Sequence, residues 1–126
     1  MKHQIQTEAA PRAIGPYSQA IKIGNTVYFS GQIPLHPETM ALVSDDFAAQ
    51  AEQVFNNLEA VSKAAGGGLE AIVKLTIYLT DMASFPVVNT TMTRFFQPPY
   101  PARTTVQVSA LPKAAQIEID AVMVIG

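Results

Sequence analysis

Arg103 and Glu118 are the two residues of this chain whose types and setting could do chemistry. They lie in the run YPARTTVQVSALPKAAQIEID, from Tyr100 to Asp120. The residues around each are otherwise apolar or uncharged, and a charge in such a setting needs a partner. An arginine presents a planar fork that grips a carboxylate through two hydrogen bonds. A glutamate can accept or orient a proton. The pair therefore reads as a small-anion site, with Arg103 at the mouth of one strand and Glu118 on a neighbouring strand. The bland alternatives are a structural ion pair or a snorkelling edge residue for Arg103 and a rim acid at an interface for Glu118.

Other chemistries find little support. There is no cysteine, so disulfides, thiolate nucleophiles and cysteine-held metals are excluded. His3 and His36 fall in a tail and a loop with no third ligand at zinc spacing, so no metal site is expected. No Ser-His-Asp set is visible. Gly66-Gly67-Gly68 lacks the lysine and hydroxyl of a phosphate loop and follows a helical pattern instead of preceding one. Net charge is −2 and no basic block exists, which argues against nucleic acid as a partner. No run approaches a membrane span, and the first residues lack the apolar core of a signal peptide. A soluble cytoplasmic protein is the default expectation.

The elements that must position the pair follow from periodicity. The chain has 126 residues, which suits one domain spanning 1–126. Ala20 to Ile23 and Thr26 to Gln32 alternate around Gly24-Asn25 and predict a hairpin. The segment before it is polar, and a short strand there stays open because nothing fixes it. Phe47, Ala51, Val54, Leu58, Val61 and Ala65 form one helical stripe, with Ser44, Asp45 or Asp46 as its cap. Ile72 to Thr80 predicts a strand whose Val73, Leu75, Ile77 and Leu79 form an apolar face. Asp81 or Ser84 caps a second helix with the stripe Phe85, Val88, Met92, Phe95 and Phe96, and Asn89 lies at the edge of that stripe. Strands are expected over Thr104 to Ala110 and Ile117 to Ile125. The order is β-β-α-β-α-β-β, a mixed sheet with two helices on one face. Charged residues make up only 14% of the chain, against roughly 25% in an average domain, so part of the surface is expected to be hidden in an oligomer.

These pieces resemble the reactive intermediate deaminase A family, also called the YjgF family. The matching runs are Ile14-Gly15-Pro16-Tyr17-Ser18-Gln19, Ser30-Gly31-Gln32-Ile33-Pro34, Ala64-Ala65-Gly66, Val73-Lys74, Phe85 with Val88-Asn89, Pro101-Ala102-Arg103-Thr104, Leu111-Pro112 and Ile117-Glu118-Ile119. The resemblance covers nearly the whole chain. It implies a chorismate-mutase-like α+β fold and a homotrimer with three sites in the clefts between subunits. It also implies hydrolysis of 2-imino acids, such as 2-iminobutanoate and 2-iminopropanoate, to 2-keto acids and ammonia. No cofactor is implied, because an imine is already electrophilic. On this chain the resemblance makes Arg103 the carboxylate anchor, Glu118 the acid that orients or activates water, and Tyr17 a catalytic residue lining the cleft. It makes Gly31, Asn89, Thr104, Thr105 and Phe85 substrate-binding. Thr104 stands where serine is common. Thr105 stands where cysteine is frequent, so a hydroxyl replaces a thiol. Three alternatives remain open at this point: a non-catalytic trimer that binds small carboxylates, a deaminase of a related aminoacrylate, and, disfavoured by the low basic content, a nuclease.

Overall fold

The computed structural model describes residues 1–126. Eight elements build the chain: β1 (Lys2–Ile5), β2 (Ala20–Ile23), β3 (Thr26–Gln32), α1 (Phe47–Ala64), β4 (Ile72–Leu79), α2 (Phe85–Phe95), β5 (Ala102–Gln107) and β6 (Ile117–Val124). The six strands form one sheet in the order β1-β2-β3-β6-β4-β5. Every neighbouring pair is antiparallel except β4 and β5. That pair is parallel because α2 carries the chain back across the sheet between them, as a parallel connection requires. No helix is long and apolar enough to cross a membrane.

The predicted α+β class, the mixed sheet and the two helices on one face are all present. α1 begins where Asp46 accepts a hydrogen bond from the Ala49 N–H (3.0 Å), and it stops just before Gly66, whose φ of +96° only glycine adopts freely. The whole predicted stripe from Ala51 to Ala65 is buried. Phe55 lies outside that stripe and is also buried. It stacks on Phe95 (5.3 Å) and meets Phe96 edge-on (5.8 Å), which seats the end of α2 against α1. Leu75, Ile77, Ile117, Ile119 and Met123 complete the core from the sheet side.

The N-terminal segment forms the short strand that the sequence left open, β1 on the β2 edge, with Lys2 opposite Ile23 and Ile5 opposite Ala20. The structure departs from expectation at several places. β5 runs from Ala102 to Gln107, starting two residues and ending three residues earlier than expected. The apolar face of β4 is interrupted, because a register shift between Ile72 and Lys74 buries Ile72 and leaves Val73 exposed. Most important, β4 lies between β5 and β6. Arg103 and Glu118 therefore do not sit on neighbouring strands. Sequence alternation fixes which residues share a face of one strand but not the lateral order of strands.

Candidate functional site

Pairing decides where each candidate side chain goes. Arg103 is opposite Leu75, which is buried beneath the helices, so the guanidinium faces α2. Glu118 is opposite Tyr78, three residues further along β4, and so lies on the open face. Two strand spacings and three residues of rise put their backbones on the order of 14 Å apart, on opposite faces of the sheet. A three- or four-carbon acid is far shorter than that. Within one chain the pair resolves into two half-sites.

The first half-site is built on α2. Phe85, Asn89 and Met92 recur at helical spacing and present one stripe to the start of β5. Arg103 Nη1 donates to Asn89 Oδ1 (2.7 Å) and lies 3.3 Å from Met92 Sδ. Its guanidinium carbon sits 4.9 Å from the centroid of the Phe85 ring. No carboxylate lies within 4 Å of it, since the ion pairs of the chain are Lys63–Glu59 and Arg94–Glu52. Of the two bland readings of Arg103, the structural ion pair is therefore absent from the chain, while its strand β5 does lie at the sheet edge. The arginine borders a cavity of about 200 Å³ with Asn89, Met92, Thr93, Tyr100 and Pro101. Thr105 is opposite Ile77 and faces the same way as Arg103. Its hydroxyl is buried without a hydrogen-bond partner, the one side-chain polar atom in the chain so placed.

The second half-site is built on β3, β6 and the loop before β2. β3 loses register with β6 between Phe29 and Gln32, and Gly31 falls in that irregular stretch. A Cβ at Gly31 would stand 2.8 Å from Glu118 Cδ, so the carboxylate of Glu118 occupies the space that a side chain would fill. Burial first, and the charge of Asp120 second, hold Glu118 above its ordinary carboxylate range. Asp120 in turn accepts a hydrogen bond from the Tyr78 hydroxyl (2.9 Å). That bond first, then burial and the two carboxylate charges, push the Tyr78 phenol up. Tyr17 and Gly31 share a second cleft of about 200 Å³. The Tyr17 ring is half in solvent, and its hydroxyl accepts a long bond (3.4 Å) from the Ile14 N–H.

The structure thus brings Arg103, Asn89 and Phe85 together, with Thr105 two residues along on the same strand face, and separately gathers Tyr17, Gly31 and Glu118. Thr104 joins neither as expected. It turns to the open face opposite Thr76, where its hydroxyl accepts from Lys74 Nζ (2.7 Å). No group of three or more histidine, aspartate or glutamate side chains is placed to hold a metal.

The family model described as endoribonuclease L-PSP matches residues 7–125. The chain belongs to the endoribonuclease L-PSP family. A 2-iminobutanoate/2-iminopropanoate deaminase of Dermatophagoides farinae is 45% identical over 124 residues, covering 98% of this chain and 97% of the relative. The RutC family protein y4sK of Sinorhizobium fredii is 48% identical over 123 residues, covering 98% of both. Among solved structures of the family fold, RidA of an Antarctic Psychrobacter superposes with a TM-score of 0.95 at 51% identity, covering 98% of this chain and 99% of that one. E. coli TdcF with bound serine superposes with a TM-score of 0.94 at 39% identity, again covering 98% and 99%.

Two neighbours of the candidate site went unread in the sequence of this L-PSP family chain. Met92 touches the arginine, and the signal was there: it lies seven residues after Phe85 and three after Asn89, on one helix face. Asp120 sits two residues from Glu118 on one strand, hence on one face, and perturbs it. The separation of the half-sites had no such signal.

Proposed function

We propose that the protein hydrolyses 2-imino acids, with 2-iminobutanoate and 2-iminopropanoate as the model substrates, to 2-keto acids and ammonia. We further propose that each site is completed by a second copy within a homotrimer. The observation that carries the reading is Arg103: a guanidinium fixed by Asn89 and Phe85, free of any carboxylate, beside an open cavity. Such a group is poised for the carboxylate of a small ligand. The deaminase names of close relatives support the same reaction.

The chemistry follows from the two half-sites. Arg103 of one copy holds the substrate carboxylate through two parallel hydrogen bonds. Anchoring sets the imine carbon beside a water and removes much of the entropic part of the barrier. Glu118 of another copy accepts a proton as that water adds to C2, giving a carbinolamine. That proton is delivered to nitrogen, the carbinolamine hydroxyl then gives its own proton through Glu118 to the amine, and the C–N bond breaks to release ammonia and leave the keto acid. Tyr17 lies on the Glu118 side, where its hydroxyl can donate to the nitrogen. The open face of the sheet suits burial against another copy, because Ile23, Tyr28, Val106 and Val124 are exposed there.

The test is an imine assay with mixed subunits. 2-Aminoacrylate is generated by a serine dehydratase, and the surviving imine is trapped with semicarbazide. Arg103→Ala and Glu118→Gln should each be inactive. Refolded together in equal amounts, they should recover about a quarter of wild-type activity, because random assortment restores intact sites between copies. No recovery, with each variant folded and trimeric, would overturn the shared site. Full activity in Arg103→Ala would overturn the anchoring role. A second reading, a trimer that binds small carboxylates without turnover, is favoured by the serine bound in TdcF. It predicts ligand binding with no rate above the buffer blank.

A further inference from the structure

Two cations flank the cleft that holds Tyr17 and Gly31. Arg12 comes from the segment before β2 and Lys113 from the loop before β6, and both line that cleft. No acidic residue is among the residues lining it. Neither cation has a carboxylate within 4 Å. Arg12 also borders a larger groove of about 570 Å³ that carries Glu8 and Glu38, yet neither acid reaches it.

Both cations are held by organised backbone. Gln19 is buried, and its side-chain amide donates to the carbonyls of Thr7, Ala10 and Pro11 at 3.0, 3.3 and 2.8 Å. This fastens the chain up to the residue before Arg12. On the other side Lys113 and Ala114 both take left-handed backbone, with φ of 57° and 59°. Two consecutive non-glycine residues there are strained, and such strain persists where the surroundings over-determine it, often at ligand clamps.

We propose that Arg12 and Lys113 form a second anion subsite, and that the preferred substrates are 2-imino dicarboxylates. This rests on the deaminase reading above. The first carboxylate goes to Arg103 of another copy, the imine carbon lies beside Glu118, and the side chain runs along the Tyr17–Gly31 cleft. Its terminal carboxylate meets two cations that have no partner of their own. A monocarboxylic imine leaves them unpaired. The Glu118 carboxylate packs on Gly31 and does not neutralise the rim, since neither cation lies within ion-pair reach of it.

The experiment compares the imines that an amino acid oxidase releases from aspartate and from alanine. For each, kcat/KM is measured with wild type, Arg12→Ala, Lys113→Ala and the double variant. Wild type should favour the dicarboxylate, and the double variant should lower the dicarboxylate-to-monocarboxylate ratio by roughly tenfold or more. Lys113→Gly, which suits the left-handed backbone, separates loss of charge from loss of loop shape and should show the same drop. A ratio unchanged in the double variant overturns the subsite. If wild type hydrolyses neither imine, the deaminase reading fails by itself. The subsite is then decided by calorimetry with 2-oxoglutarate against 2-oxobutyrate. Tighter binding of the dicarboxylate that the double variant abolishes supports it, and equal affinities overturn it.

Discussion

The carboxylate of Glu118 lies over the Cα of Gly31, in the volume that any side chain at that position would need. The glycine is therefore a packing requirement of the acid. Gly31→Ala should drive Glu118 out of position while the sheet stays folded. A displacement near 1 Å in a reacting group can cost about 100-fold in rate. The expected result is a fall of that order in kcat/KM, with a native circular dichroism spectrum. A variant with wild-type kinetics would show that the position of Glu118 is immaterial.

Glu118 titrates above its ordinary range because of burial first and Asp120 second. In its proposed role as proton acceptor it must be ionised, so kcat/KM should fall as pH drops through that raised value. Asp120→Asn removes the second cause and should move the acid limb to lower pH. A limb that does not move would detach the profile from Glu118.

The same shift has a stability consequence of definite sign. A carboxyl whose folded value lies above its unfolded one favours folding at low pH, and that contribution is lost as pH rises through the folded value. Ionised Glu118 is thus a cost at neutral pH. Glu118→Gln should raise Tm at pH 7, and its advantage should shrink as pH falls into the ordinary carboxylate range. Thermal melts across pH check this, and a lower Tm at pH 7 would contradict it.

Thr105 carries a buried hydroxyl with no partner on the face of Arg103. An unsatisfied buried polar group costs about 1–3 kcal/mol. Thr105→Val keeps the branched shape and removes the hydroxyl, so it should hold or raise stability while lowering substrate affinity. Denaturant melts and KM report the two effects separately. A variant less stable than wild type would mean that the hydroxyl has a partner in the assembled protein.

Gln19 ties residues 7–11 to β2 through three donated bonds, and its Oε1 accepts from the Thr7 N–H (2.7 Å). Gln19→Leu should cost about 2 kcal/mol, because the carbonyls it satisfies lose their partner. Hydrogen exchange at Thr7, whose N–H it holds, should speed up, and kcat/KM should decline with it on the reading that places Tyr17 in the site. Unchanged exchange would place the anchor elsewhere.

Periodicity alone determined the helices and most strand faces. Val54, Leu58 and Val61 repeat at helical spacing and have no other way to leave water together. The chemistry of Arg103 and Glu118 was equally legible, since each is flanked directly by uncharged residues. The irregular start of β4 was not legible, because a shifted register reverses which residues are buried and leaves no mark in the alternation. The tertiary structure alone placed β6 between β3 and β4 and set Arg103 and Glu118 on opposite faces. Strand order is a matter of long-range pairing, and the residues that decide it are distant along the chain. Residue types could therefore single out Arg103 and Glu118, and the family resemblance added the other candidates, whereas only the packed sheet divided them into two half-sites.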